Sequence, residues 1–452
     1  MPFPALPGSG SSFCKAPCRA VSGGLVAGLL GAALGAVVSR GGEAESPVLP
    51  TRPQVAWQGL EITGRISFGM NTFTEREEGS GAEDPARFDP PELAPRQWMQ
   101  ALKGAGARLG ILTAKHHDGF CLWPSRFTEH SVRQAPWREG RGDVVHEAAR
   151  AASAVGLRFG VYFPLCDLHE PATANPTAYE RFLRNQLREL LTDYGEIAVL
   201  WLDPECHHAR PRACTRVDRA GLVQLVRDLQ PRTLIAGMGP DIRSLTVEAV
   251  IRRDEEGDVQ PVGGEGWLRA LFPRTDGMWF PVERRVSLRP GWFHRPREDG
   301  RLKSVAQLIE FHRRTVDRGG VLLLNVVVDP SGRIPDGDVR RLAGFGAELD
   351  RLSAASLGET QGTGETLILQ LSEGGRVNQV LLAEDLRWGQ RVRHYLIETS
   401  EGGDWKVVQE GRLIGNRQGI RFEAVPTSAV RLRVIEATAE PRIRRFAAFL
   451  IE

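Results

Sequence analysis

From about residue 55 to about residue 345 the chain alternates short apolar runs with amphipathic helical segments, and this alternation restricts the fold more than any other feature. The apolar runs at residues 109–114, 157–163, 197–202, 234–236 and 321–328 are too short for ordinary helices and suit buried strands. Helical segments stand between or beside them, at 95–104, 144–155, 220–229 and 305–317. The clearest begins at Asn175-Pro176, a capping residue followed by proline at the first helical position. Its apolar residues Tyr179, Phe182, Leu183, Leu187, Leu190, Leu191 and Tyr194 keep to one face, and Gly195 is placed to close it. Strand–helix alternation of this kind builds a parallel sheet. At this length, residues 50–345 fit a (β/α)8 TIM barrel better than an open doubly wound sheet. The absence of a Gly-x-Gly-x-x-Gly after an early strand also weighs against a dinucleotide-binding fold.

After residue 346 the pattern changes. Short runs at 366–371, 379–382, 392–398, 405–409 and 429–435 are rich in strand formers and separated by turn residues. Residues 346–452 therefore read as a small β-sandwich, expected to pack against the barrel rather than to bind sugar. The amino terminus differs from both parts. Lys15 and Arg19 precede a small-residue apolar run at 20–38, so residues 1–45 read as a signal peptide or an N-terminal anchor. The signal is the preferred reading, because the run is glycine-rich and barely long enough to span a bilayer. It places the protein in the periplasm or outside the cell. No later run approaches spanning length, so stable membrane insertion after signal removal is not expected.

Lys and Arg total 58 against 56 for Asp and Glu, a net charge of +2, which offers no footprint for nucleic acid. Six cysteines fall at 14, 18, 121, 166, 206 and 214. Cys206 and Cys214 are near enough in sequence to bridge in an exported protein. Together with His207 and His208 they match no structural zinc spacing, and no metal or cofactor is expected.

Reactive residues of a barrel sit at the C-terminal ends of its strands. Lys115-His116-His117-Asp118-Gly119-Phe120 follows one apolar run, and Asp203 ends the run Val199-Leu200-Trp201-Leu202. His116, His117, Asp118, Asp167 and Asp203 are thus expected on one face. A lone strand-end acid can be a nucleophile, a base or a metal ligand. A second acid narrows the choice, and Glu248 follows Gly239-Pro240-Asp241-Ile242-Arg243 on the next loop. Paired carboxylates suit glycoside hydrolysis, at a separation of about 5–5.5 Å when the anomeric configuration is retained.

The ordered set of motifs resembles the α-L-fucosidases of glycoside hydrolase family 29. Its marks are Phe68-Gly69-Met70-Asn71-Thr72-Phe73, the Lys115–Phe120 segment with Trp123-Pro124-Ser125, and Asp167. Further marks are Trp201-x-Asp203, Gly239-Pro240-Asp241-Ile242-Arg243, Arg289-Pro290-Gly291-Trp292-Phe293 and Leu322-Leu323-Leu324-Asn325. The resemblance implies cleavage of terminal α-L-fucosyl linkages with retention and without a metal, on a fucosylated oligosaccharide or glycoconjugate. It implies Asp203 as nucleophile and Glu248 as acid/base. It implies His116, His117, Trp123, Trp201 and Asn71 as substrate-binding residues. The Gly-Pro-Asp-x-Arg subgroup prefers α-1,3/1,4-fucosyl links.

Several pocket positions depart from that pattern. Ser67 stands where the family has a histidine, and Glu78 and Cys166 stand where it has tryptophans. Pro204 follows Asp203 where glycine is frequent. Weakened or redirected recognition follows, and a catalytically impaired carbohydrate-binding homologue stays open as an alternative. A metal-dependent barrel hydrolase built on His116, His117, Asp118 and Asp203 is the third.

Overall fold

The computed structural model describes residues 49–204, 217–237, 239–246, 251–253, 259–261, 279–372 and 375–451. The chain divides into a unit Met1–Ser46, wholly outside the described residues, and a unit Pro47–Glu452. The expected signal or anchor falls in the first, and all that follows concerns the second. Among the described residues no helix is long and apolar enough to cross a membrane.

Eight parallel strands form the larger part: β1 Ile62–Ser67, β2 Leu109–Thr113, β3 Arg158–Pro164, β4 Val199–Asp203, β5 Leu234–Gly237, β6 Arg243–Thr246, β7 Val282–Ser287 and β8 Val321–Val327. Their order is β5-β4-β3-β2-β1-β8-β7-β6, so the sheet curls into a barrel that is closed except for a ladder between β5 and β6. Helices α1 Arg52–Gln58, α2 Met70–Thr74, α3 Pro95–Gly104, α4 Val144–Val155, α5 Pro176–Thr192, α6 Arg219–Leu229, α7 Val305–Thr315 and α8 Asp336–Ala354 accompany it. The side chain of Asn175 caps α5 ahead of Pro176. The helix stops at Thr192 with Asp193 as its cap, so Gly195 (φ +76°) turns the chain beyond the end instead of forming it.

Strand residues alternate between two cores, as a period of two requires. Leu109, Ile111, Tyr162, Val199, Trp201, Leu234, Ala236, Val321 and Leu323 fill the barrel, and Trp57 and Leu60 join them. The intervening Leu112, Val161, Leu200, Leu202, Leu322 and Leu324 pack outward in the core that also holds the helices. Strands buried on both faces read as unbroken apolar runs, which is why β2, β3, β4, β5 and β8 were expected. Strands β1, β6 and β7 were not. The outward residues Ile62, Ile66 and Val286 of β1 and β7 are apolar, but the alternate positions carry Thr63, Arg65, Ser67, Glu283, Arg285 and Ser287.

Eight further strands make two antiparallel sheets: β9 Ser356–Thr363, β10 Thr366–Gln370, β11 Arg376–Glu384, β12 Val392–Glu401, β13 Asp404–Gly411, β14 Gln418–Pro426, β15 Ala429–Ala437 and β16 Arg442–Phe449. One sheet runs β9-β16-β11-β14 and the other β10-β15-β12-β13. Val377, Val380, Tyr395, Ile397, Val430, Leu432 and Phe446 fill the space between them. Arg417 ties this sandwich to the N-terminal end of the barrel. It bonds Glu61 Oε1 at 2.9 Å, just before β1, and Asp317 Oδ1 at 3.1 Å, just before β8. Asn416 Nδ2 donates to the carbonyl of Gln58 nearby. These contacts lie at the opposite end from the strand termini that carry the ionisable residues.

Candidate active site

Asp203 is the last residue of β4, and the β3–β4 register sets it beside Pro164. Two residues back in each strand, Tyr162 is paired with Trp201, and their rings stack with centroids 5.4 Å apart. The Tyr162 hydroxyl donates a 2.5 Å hydrogen bond to Asp203 Oδ2. Burial and the adjacent carboxylate push this phenol well above its ordinary value, so it stays protonated and remains a donor.

His117 approaches the same oxygen from the loop after β2, with Nε2 3.8 Å from Asp203 Oδ2. Its Nδ1 lies 3.3 Å from the carbonyl of Cys166, which can only accept, so Nδ1 carries the proton. His116 stacks on Tyr162 at 5.6 Å and meets His117 and Phe293 edge-on. Desolvation, with the charges of His117 and Arg65 nearby, holds its pKa well below the usual histidine value. A neutral imidazole can both donate to and accept from a sugar hydroxyl, and its Nδ1 has no partner among the described residues.

The histidine loop is held from behind. Lys115 points away from the barrel interior and bonds Asp167 Oδ2 at 2.8 Å and Gln186 Oε1 at 2.7 Å. Asp167 also accepts from the backbone N–H groups of His169 and Glu170. Gly119 sits at φ +84°, and a Cβ there would meet Asp167 Oδ1 at 2.3 Å. Asp167 therefore supports the loop instead of facing a ligand. Asp118 likewise serves its own loop: Oδ1 accepts from the Phe120 N–H at 2.7 Å, and Oδ2 has no partner among the described residues. Burial pushes its pKa up to about 8.

The polar inward residues of β1 and β7 complete the wall. Arg65 lies over the Tyr162 ring, 3.9 Å from its centroid, and Arg285 lies over Trp201 at 5.0 Å. Glu283, fully buried, accepts from Trp201 Nε1 at 3.0 Å and from Ser244 Oγ at 2.9 Å. Desolvation raises its pKa. Ser67 spends its hydroxyl on Asn325 Oδ1 at 2.6 Å, and Asn325 also binds Ser287 and the carbonyl of Trp292. Asn71 Nδ2 donates to the carbonyl of Glu77, whose carboxylate accepts from the Trp292 N–H and from Arg295.

Of the expected site residues, Asp203, His116, His117 and Trp201 converge, and Asn71 is linked to the rim through Glu77. Trp123 does not join them. It is buried in the outer core, with its indole N–H on Glu189 Oε2 of α5 at 2.9 Å, so the expectation of a pocket wall is corrected. Glu248 lies outside the described residues, as do Cys206 and Cys214. Cys166 is disulfide-bonded, and Cys121 is free and buried. Sequence reading passed over Tyr162, Arg65, Glu283 and Arg285. A signal existed, since each occupies the inward parity of a strand that ends at the site. Among the described residues no group of three or more His, Cys, Asp or Glu is arranged to hold a metal ion.

Residues 82–353 match the family described as alpha-L-fucosidase. Alpha-L-fucosidase 1 of Arabidopsis thaliana is 31% identical over 458 residues, covering 89% of this chain and 87% of the plant protein. The crystal structure of a glycoside hydrolase 29 family member from an unknown rumen bacterium superposes with a TM-score of 0.78 at 34% identity, covering 90% of this chain and 78% of the other. A Ruminococcus gnavus GH29 fucosidase solved with fucose shares the fold, with a TM-score of 0.77 at 21% identity over 91% and 97% of the two chains.

Proposed function

The chain belongs to the α-L-fucosidase family of glycoside hydrolases, and from that premise we propose that it removes terminal α-L-fucosyl units with retention at the anomeric carbon. The observation that carries the proposal is the Tyr162–Asp203–His117 group at the mouth of the barrel. Asp203 attacks C1 of the fucosyl unit and forms a glycosyl ester as the aglycone oxygen leaves. Glu248 protonates that oxygen, then takes a proton from the water that cleaves the ester and restores Asp203. Tyr162 holds the carboxylate in one rotamer, so that little of its orientation must be lost on reaction. His116 and His117 bind ring hydroxyls, and Trp201, stacked on Tyr162, backs the wall of the site.

The Gly239-Pro240-Asp241-Ile242-Arg243 loop supports α-1,3/1,4-linked, Lewis-type glycans as the substrate class. Export supports itself on two features: the apolar run at 20–38 and the bonded state of Cys166, since disulfides persist in oxidising compartments. In this reading residues 1–45 act as the signal.

The test is fucose release from an α-1,3/1,4-fucosylated oligosaccharide, with proton NMR of the first-formed anomer. Asp203→Ala runs alongside. The expected result is α-fucose from the wild type and essentially none from the variant. β-Fucose as the first product would overturn retention. Binding without cleavage at any pH would establish instead a carbohydrate-binding homologue, a reading favoured by the commitment of the Ser67 hydroxyl to Asn325.

A further inference from the structure

Two guanidinium groups face the pocket from strands on either side of β8. Arg65 on β1 and Arg285 on β7 both approach the Trp292 ring, at 5.6 and 5.8 Å from its centroid. Arg65 is buried, whereas Arg285 and Trp292 are half-exposed toward the mouth. Their charges reach the reacting centre, because Arg65 stacks on the tyrosine that bonds Asp203 and Arg285 stacks on the tryptophan two residues before it.

Each nearby carboxylate has partners of its own. Asp203 is held by Tyr162, Glu283 by Trp201 and Ser244 through one oxygen only, its Oε2 having no hydrogen-bond partner among the described residues, and Glu77 by Arg295 and the Trp292 N–H. None of these bonds reaches Arg285. Its Nε is buried with no acceptor among the described residues; Arg65 Nε reaches Thr113 Oγ1 at 3.4 Å, and its guanidinium also meets Tyr162 and the charge of Asp203. Stacking uses the faces of a guanidinium and leaves its in-plane N–H donors for an oxyanion. A sugar hydroxyl would accept one such bond and neutralise no charge, while an oxyanion accepts two and relieves the repulsion between the arginines.

Resting on the fucosidase reading, we propose that the fucosyl unit taken by this pocket carries an oxyanion ester, a sulfate on a ring hydroxyl, gripped by Arg65 and Arg285. Fucose has a methyl at C6, so an ester of a ring hydroxyl is the place for a negative charge on this sugar. The substitution of Ser67 for a histidine fits the same picture. A neutral hydroxyl-binding group is absent from the wall where two cations stand.

The experiment compares binding of L-fucose and its 2-, 3- and 4-O-sulfates to the full-length protein by calorimetry, at two salt concentrations. One sulfated isomer is expected to bind about tenfold or more tighter than L-fucose, as charge-assisted hydrogen bonds allow. The advantage should shrink as salt rises. Arg285→Met should bring the ratio near one, and Arg285→Lys, which keeps the charge and loses the fork, should leave part of it. Melting curves check that both variants fold. Equal or weaker binding of every sulfated isomer by the wild type overturns the proposal, and so does an advantage that survives Arg285→Met. The readout needs no turnover. Failure to cleave Lewis-type glycans therefore counts against the hydrolytic reading alone, and cleavage of plain fucosides with no sulfate preference counts against this proposal alone.

Discussion

The Tyr162 phenol and the Asp203 carboxylate face each other across the β3–β4 ladder, 2.5 Å apart, with the proton on the phenol. The bond joins two residues 41 apart in sequence, and it exists because both are inward at the ends of neighbouring parallel strands. Tyr162→Phe keeps the ring stack with Trp201 and deletes one donor to an anion. Hydrogen bonds to charged groups contribute about 1.5–3 kcal/mol, so kcat should fall by about ten- to a hundredfold. KM should move much less, which steady-state kinetics on an aryl fucoside would read.

Gly119→Ala tests the support of the histidine loop. The position is left-handed, and the added methyl meets Asp167 Oδ1. A loss of about 1–3 kcal/mol in stability is expected from backbone strain. kcat/KM should fall as well, because His116 and His117 ride on this loop. Denaturant melts paired with kinetics would separate the two effects. Wild-type activity in a destabilised protein would show that the loop relaxes without moving the histidines.

Asp118 makes stability fall as pH rises. Its pKa is about 8 in the folded chain and near 4 in the unfolded one, so between those values the folded state holds the extra proton. The unfolded state then binds fewer protons, and the slope of stability against pH is negative across this window. Asp118→Asn keeps the acceptor for the Phe120 N–H and removes the titration. The variant should melt close to wild type near pH 4 and progressively above it toward pH 8, by an amount on the order of a few kcal/mol. A constant difference across this range would sink the assignment.

Arg417 should matter for stability and not for catalysis. It bridges Glu61 and Asp317 at the barrel end remote from Asp203. Arg417→Ala leaves two acids without their cation, and breaking a largely buried pair in this way costs about 3–5 kcal/mol. Chemical denaturation should show that loss, with kcat/KM within about twofold of wild type while the protein is folded. A large fall in kcat/KM would mean that the sandwich reaches the active site.

The sequence by itself determined the alternation that makes a barrel, because strands buried on two faces must be apolar at every position. It also marked the sandwich, and it placed Asp203, His116 and His117 at strand ends. Only the tertiary structure decided which residues surround them. Trp123 and Trp201 look alike as candidate walls, yet one turns outward to Glu189 and the other stacks on Tyr162 inside. Asp118 and Asp167 share the strand-end position with Asp203, yet both serve their own loops. Strands β1 and β7 were hidden because their inward residues are the arginines, serines and glutamate that line the site. A polar interior position breaks the apolar run that announces a strand. It becomes affordable only when closure of the barrel supplies partners from residues far away in sequence: Trp201 for Glu283, Tyr162 for Arg65 and Asn325 for Ser67.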